Sequence, residues 1–398
     1  MLMNTTRVVV AGAGPVGLIT ALGLARAGVA VTVLERESAI VSSPRAMVYH
    51  SGVIGGLDRL GLLGDALRTG VKAGSLDFLA YRTGERISMN VDVLAGHEPY
   101  PYNLHLGQDK LAAIALEHLR RLPGTEVRFD TTVTGLAQDS EGVTLTVASG
   151  GESTELRAGW VVGADGAGSA VRRLLGLDFE GMTWPERFVA TNVRFDYGAH
   201  GFADANMVLD PEYGAIIARI DHDGLWRCTF SEDSSLPLED LRQRIDAYFA
   251  ETLPGDRKYE LVHYSPYKMH QRAATTFRAG RVVLAGDAAH VTNPSGGLGL
   301  TSGLFDSYVL SEALAAVALG QAEDDVLDLY ADERRAAFLD QASPRAIGFK
   351  QLVFHCADPA QLEQALTGLR AAASDVAVQR EQLKVSEPLA TPSLLGRD

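Results

Sequence analysis

Two stretches of this chain set chemistry-bearing residues at the ends of apolar runs. GAGPVG places Gly12, Gly14 and Gly17 between the run RVVVAG and a helix-length segment, PVGLITALGLARAG. Missing side chains at such a turn let a pyrophosphate approach the helix N-terminus, whose first N–H groups have no partner inside the helix. Glu35 closes the next apolar run, VAVTVLER, 18 residues beyond Gly17, where a carboxylate can accept from ribose hydroxyls. Far downstream, RVVLAGDAAHVTNPSGGLGLTSG (281–303) runs from an apolar strand into a lone acid, Asp287, and on into glycine-rich backbone. Strand, turn, helix and acid together point to dinucleotide binding, although GAGPVG does not separate NAD from FAD.

These residues need a scaffold, and its elements are readable. Pro15 near a helix start and Gly28 at its stop, between two β-branched runs, predict one βαβ unit. QDKLAAIALEHLRR (108–121) carries Leu111, Ile114, Ala115 and His118 at helical spacing and predicts an amphipathic helix opened by Asp109. EVRFDTTVTGL, GVTLTVAS and TELRAGWVVGADG read as successive strands, a small meander feeding back into the nucleotide domain. Residues 181–270 change character, with Trp184, Trp226, several tyrosines and runs such as FVATNVRFDY and YGAIIARI, and predict a second, sheet-based domain. Residues 303–340 read as helix again, and the polar tail past 375 is expected to be poorly ordered.

At 398 residues the chain exceeds what one core normally supports, so two domains are expected, interleaved along the sequence. A formal charge of −14 and a pI near 5.2 argue against nucleic acid or an anionic membrane surface as partner and leave small molecules. Cys228 and Cys356, far apart, provide neither a disulfide framework nor a CxxC pair, which fits a reducing, cytoplasmic setting. Residues 8–34 are nearly all apolar, but glycines at 12, 14, 17 and 23 and the charge of Arg26 argue for strand, turn and helix instead of a membrane span.

GAGPVG, GADGAGSAVRR and LAGDAAHVTNPSGGLG, in this order and spacing, resemble the FAD-dependent aromatic hydroxylases of the p-hydroxybenzoate hydroxylase family, over residues 5 to about 340. The resemblance implies an α/β fold: a Rossmann-like FAD-binding domain (1–75, 101–180 and 271–345), interleaved with an α+β substrate domain on a mostly antiparallel sheet (76–100 and 181–270). A helical C-terminal region and tail (346–398) would follow. It implies noncovalent FAD and NADPH or NADH as a transient reductant without a Rossmann domain of its own. It further implies O2 as oxidant, a flavin C4a-hydroperoxide attacking an electron-rich aromatic ring, and a homodimer as the family-based expectation.

Carried over position by position, Gly12, Gly14 and Gly17 would face the FAD pyrophosphate, Glu35 the adenosine ribose, and Arg36 would lie by the adenine. Arg45 and Gln108 match positions that reach the phosphate and ribityl parts, Asp165 supports the pyrophosphate region, and Asp287 would bind the ribityl chain. The loop through Pro294, Gly297, Leu298, Gly299 and Leu300 would present backbone N–H groups to the flavin pyrimidine edge, where negative charge develops on reduction. Taken singly, Arg45 serves equally as a surface charge, Gln108 as a helix cap and Asp287 as a turn former.

Some phenol-oxidising relatives carry an acid just after the RA pair, and here Met47 occupies that position. Tyr49 and His50 are then the nearest candidates for a proton relay, with a buried structural pair as the alternative. His290 is expected to be a hydrogen-bonded structural residue. Tyr213 and Tyr267 are candidates to line a substrate pocket. The competing functions are an epoxidase or hydroxylase of a polyketide-like or non-phenolic substrate, and a flavin-binding sensor or accessory protein without turnover.

Overall fold

A computed structural model describes residues 7–42 and 46–397. Val8–Ala11, Val31–Leu34, Trp160–Gly163 and Val282–Leu284 are short strands in which every residue is buried. Strands apolar on both faces belong in a parallel sheet covered on both sides, and these form one. Its order is Arg278–Ala279, Val282–Leu284, Trp160–Gly163, Val8–Ala11, Val31–Leu34, Thr125–Arg128, parallel except at the first pair. The Pro15–Arg26 helix crosses Leu298–Ala318 closely: a Cβ on Gly23 would lie 2.4 Å from the Ser311 hydroxyl. Gly12, Glu35, Asp165 and Asp287 thereby arrive together at the carboxyl ends of adjacent strands, where open α/β sheets bind ligands.

EVRFDTTVTGL, expected as one strand, is two. Asp130 turns into the left-handed region (φ 50°), so Thr125–Arg128 joins the parallel sheet and Thr132–Gln138 starts the antiparallel meander. The Gln108–Arg120 helix forms as expected, but its N-cap is Gly107, with Asp109 inside the first turn.

An eight-stranded sheet carries the second half of the architecture, in the order His290–Val291, Glu260–Ala274, Phe179–Arg194, Leu225–Asp233, Ala215–Arg219, Ala205–Leu209, Ser75–Ala80, Glu85–Asn90. Only the Ala205–Leu209 and Ser75–Ala80 pair is parallel. One face buries Val189, Val193, Trp226, Cys228 and Phe230 under the Leu241–Thr252 helix. The other combines Phe188, Met207 and Met269 with Phe354 and Leu366 of the C-terminal helices. Because His290–Val291 pairs with Ala273 and Arg272, the glycine-rich loop is stitched directly to this sheet.

The tail past 375 is ordered, contrary to the expectation from its polarity. Asp375 caps a helix, Val376–Leu383, by accepting from Ala377 N and Val378 N at 2.8 and 3.2 Å, and Leu389 and Leu394 are buried in the main core. Two well-placed leucines anchor a segment whose average polarity conceals them. Among the described residues no helix is long and apolar enough to cross a membrane.

Candidate active site

The glycine turn is shaped by contacts that exclude side chains. A Cβ on Gly12 (φ +109°) would lie 2.3 Å from Ala164 O, and one on Gly17 2.0 Å from Gly12 O, whereas a Cβ on Gly14 would meet nothing within 4 Å. Gly12 and Gly17 let strand, turn and helix close up, and Gly14 keeps the space before the helix open. The helix N-cap, Gly14, offers no side-chain cap to the first N–H groups. Glu35 holds the turn from the next strand: its carboxylate accepts from Ala13 N at 2.7 Å and from Glu37 N at 3.0 Å.

Gly12, Gly14 and Glu35 border one cavity of about 900 Å³, near the upper end for small-molecule sites, whereas Gly17, expected to face the pyrophosphate, is buried against Gly12 and does not line it. Arg36, exposed and 3.2 Å from the Glu37 carboxylate, stands at its edge, and Gln108 borders it from the start of its helix. Asp165 borders it too, but its carboxylate accepts from the Ser169 hydroxyl and from Ala170 N and Val171 N at 2.6 and 3.2 Å, fixing the turn into the next helix. Asp287 projects from the end of its strand into the cavity. Pro294, Gly297, Gly299 and Leu300 line it, with Gly297 left-handed (φ +66°) at the N-cap of the Leu298–Ala318 helix. Leu298, expected to present its backbone N–H with them, is not among the cavity-lining residues, and its side chain is fully buried in the core beneath. Arg45 lies outside the described residues.

Of the two proton-relay candidates only His50 reaches the cavity. Tyr49 is 1 % exposed and packs into the core while Val48 and His50 line the cavity, as side-chain alternation along an extended segment dictates. Its hydroxyl has no partner among the described residues, and burial raises the phenol far above its ordinary pKa. His50 Nε2 sits 2.9 Å from Gly296 O. A carbonyl only accepts, so Nε2 carries the proton and Nδ1 is the acceptor nitrogen. Burial depresses the His50 pKa, against the opposing effect of that carbonyl.

His105, in the small sheet beside this segment, supports a stability prediction. Its Nδ1 lies 2.9 Å from Arg219 O, and burial pushes its pKa down to about 4, against the Arg219 carbonyl and the Asp204 charge. The unfolded chain then binds a proton that the folded one refuses between an ordinary pKa of about 6.5 and about 4. This contribution is complete above pH ~6.5 and is lost as pH falls through that window, on the order of 3 kcal/mol in all. Urea titrations at stepped pH should show that slope, and His105→Gln should flatten it.

The eight-stranded sheet closes the cavity with Met207, Ile216, Ala218, Tyr267 and Met269. Tyr267 is therefore at the site, its ring edge-on to Phe188 at 6.2 Å. Tyr213 is not among the cavity residues. It sits in the Asp210 turn at the end of its hairpin, its ring 5.1 Å from Tyr81, and the hairpin meets the cavity instead through Ala205, Asn206, Ile216 and Ala218.

Arg227 was not singled out by sequence reasoning and places a buried guanidinium on this wall. It is 7 % exposed, lines the cavity, and donates from Nε to Asn192 Oδ1 at 3.0 Å. Burial pushes its guanidinium down to about 10, with Tyr267, Asp109 and Tyr49 acting in the other direction, so it is cationic at neutral pH. The signal was present in LWRCTF, where Trp226, Cys228 and Phe230 share the apolar face and Arg227 and Thr229 share the other. The carboxylates bordering the cavity, Glu35, Glu37, Asp109, Asp165 and Asp287, all come from outside this sheet.

Residues 5–342 match the family described as "FAD binding domain". The chain is 44 % identical over 386 residues to 6-hydroxy-3-succinoylpyridine 3-monooxygenase of Pseudomonas putida, covering 97 % of this chain and 98 % of that one. It is also 44 % identical over 388 residues to para-nitrophenol 4-monooxygenase of a Pseudomonas species, covering 96 % and 95 %. The crystal structure of p-nitrophenol 4-monooxygenase from Pseudomonas putida superposes with a TM-score of 0.93 at 43 % identity, over 96 % of this chain and 97 % of that one.

Proposed function

Since the chain belongs to the FAD-dependent aromatic hydroxylases of the p-hydroxybenzoate hydroxylase-like family, we propose that its substrate is a small, acidic hydroxy-aromatic ring bearing an electron-withdrawing group para to the hydroxyl. The observation that carries this reading is the buried Arg227 guanidinium on the substrate-side wall of the cavity, where Met47 stands in the position of a catalytic acid. A simple phenol, with a pKa of about 10, needs a base to ionise at neutral pH. A ring carrying a para electron-withdrawing group arrives as the anion and needs a cation to receive it. Both relatives' printed substrates, 6-hydroxy-3-succinoylpyridine and p-nitrophenol, have this pattern, and both names put the new oxygen at the substituted carbon para to the hydroxyl.

The residues fit the cofactor, since Gly14 leaves open space before an uncapped helix N-terminus and Glu35 stands at the adjoining strand end. Gly12 and Gly14 would hold the pyrophosphate, with Gly17 allowing the close packing behind them, Glu35 the adenosine ribose, Arg36 the adenine side, Gln108 and Asp287 the ribityl side, and the 294–300 backbone the pyrimidine edge. Residues 1–75, 101–180 and 271–345 would then be the FAD-binding domain and 76–100 and 181–270 the substrate domain. Bound there, FAD would supply the redox chemistry that takes electrons from NAD(P)H and activates O2. Arg227 binds the substrate's anionic oxygen and orients the ring. His50, whose proton is held at Nε2 by Gly296 O, offers Nδ1 as an acceptor to a ring hydroxyl or water. Met207, Ile216, Tyr267 and Met269 exclude water around the ring. The enzyme would work in the cytoplasm, where NAD(P)H is available, and as a homodimer.

A phenol panel graded by acidity tests the substrate class. With the FAD-loaded protein, 4-nitrophenol and hydroxypyridines with 3-acyl groups should accelerate NAD(P)H consumption with little peroxide. Faster coupled turnover of 4-alkylphenols would overturn it.

A further inference from the structure

Behind the proposed ribityl-binding loop lies a buried charged cluster that the chemistry above does not use. Asp306, on the Leu298–Ala318 helix, and Arg334, on the Val326–Ala336 helix, are both fully buried, with Arg334 Nε 2.8 Å from Asp306 Oδ1. The other carboxylate oxygen, Oδ2, accepts from Gly286 N at 2.9 Å and from His290 Nε2 at 2.7 Å, and so grips the loop on both sides of Asp287. Burial alone would raise the Asp306 carboxyl, but the charges of His290 and Arg334 hold it at about 2. Phe338 stacks on the His290 ring at 4.4 Å.

The remaining donors of Arg334 point elsewhere. Nη2 donates to Ser302 O at 3.3 Å, in the second turn of the helix that begins at the glycine loop. Nη1 donates to Leu389 O at 2.5 Å and to Thr391 Oγ1 at 2.9 Å, both in the C-terminal segment. That segment is also tied to the far edge of the eight-stranded sheet. Gln379 Oε1 accepts from Asn90 N at 2.9 Å, Arg380 Nε donates to Val93 O at 3.0 Å, and Arg370 pairs with Glu85. One continuous stretch, 370–394, therefore reaches from the substrate sheet to the residues behind the glycine loop.

We propose that Arg334 is a positioning residue that clamps the flavin-side loop to the C-terminal strap, so that the placement of Asp287 and of the 294–300 backbone depends on residues 386–391. It rests on the reading of Asp287 and that loop as FAD contacts. A guanidinium fork suits this work because it satisfies a carboxylate and three other oxygens in a fixed plane, and a point-charge ammonium does not. No residue of the strap lines the cavity, and the bonds of Arg334 and Asp306 are its hydrogen-bonded link to the glycine loop.

The test uses the full chain with Arg334→Lys, Thr391→Val and Leu389→Ala, and Asp287→Asn as reference. The readouts are FAD Kd of the apoprotein, visible circular dichroism of bound FAD, its midpoint potential, and melting temperature. Arg334→Lys should raise the FAD Kd roughly tenfold, as loss of an outer supporting partner does at metal sites, and Thr391→Val by a smaller factor. Both should shift the flavin dichroism and potential, and the double variant should be no worse than Arg334→Lys alone. If strap variants lower the melting temperature while Kd, dichroism and potential stay at wild-type values, the clamp is overturned, whatever Asp287→Asn does. If they raise Kd and shift the potential while Asp287→Asn leaves Kd unchanged, the clamp stands and only the ribityl assignment of Asp287 falls.

Discussion

Replacing Arg227 with methionine is expected to lower kcat/KM for an acidic para-substituted phenol on the order of 10²- to 10³-fold, since truncating one partner of a buried charge pair costs about 2–5 kcal/mol. FAD binding should change little. The guanidinium is buried in the wall facing the proposed ring site and keeps its charge, because even pushed down to about 10 its pKa stays well above neutrality. Lost anchoring leaves the ring free to sample unproductive poses, so the fraction of NAD(P)H returned as peroxide should rise with KM. Arg227→Lys should recover part of the loss, retaining charge without the planar fork that also engages Asn192. Stopped-flow reduction and peroxide assays on the three proteins decide the point, and an unchanged kcat/KM in Arg227→Met would remove Arg227 from substrate binding.

The second large effect separates cofactor loss from fold loss. Gly14 has φ −70° and ψ 174°, backbone that any residue adopts, and its Cβ direction is open. Gly14→Val should therefore fold normally yet put a branched side chain where the pyrophosphate approaches, weakening FAD by on the order of 100-fold, about 2.7 kcal/mol. Gly17→Ala should fail differently, because its methyl would sit 2.0 Å from Gly12 O and must displace backbone. It should lose melting temperature as well as FAD. Fluorescence titration with FAD and thermal melts of the apoproteins distinguish the two, and wild-type FAD affinity in Gly14→Val would contradict the assignment of this turn to the pyrophosphate.

The parts of the site that were legible in the sequence are those made locally. Gly12, Gly14, Gly17 and Glu35 fall within one βαβ unit, and Asp287 with the 294–300 loop follows a single strand, so sequence spacing fixes their geometry. The opposite wall is assembled by register. Phe179–Arg194 pairs with Glu260–Ala274 on one side and Leu225–Asp233 on the other, and only that pairing brings Arg227, Thr229 and Tyr267 to one surface. Tyr213 was misjudged for the same reason, since nothing local says which end of its hairpin meets the cavity. Tyr49 and His50 are neighbours in sequence but face opposite sides, a distinction that the one short strand Val48–Tyr49 makes. The strap was hidden because its packing rests on a few residues, Leu389, Leu394 and the partners of Arg334, spread among polar ones.

The most direct measurement is turnover of 4-nitrophenol by the FAD-loaded protein under ¹⁸O2, with the product analysed by mass spectrometry and its regiochemistry assigned. We expect the carbon–nitrogen bond to break with release of nitrite, leaving 1,4-benzoquinone with one labelled oxygen at the carbon that carried the nitro group, and NAD(P)H consumption largely accounted for by product. NAD(P)H consumption returned entirely as peroxide, with no label in the ring, would contradict the proposed substrate class.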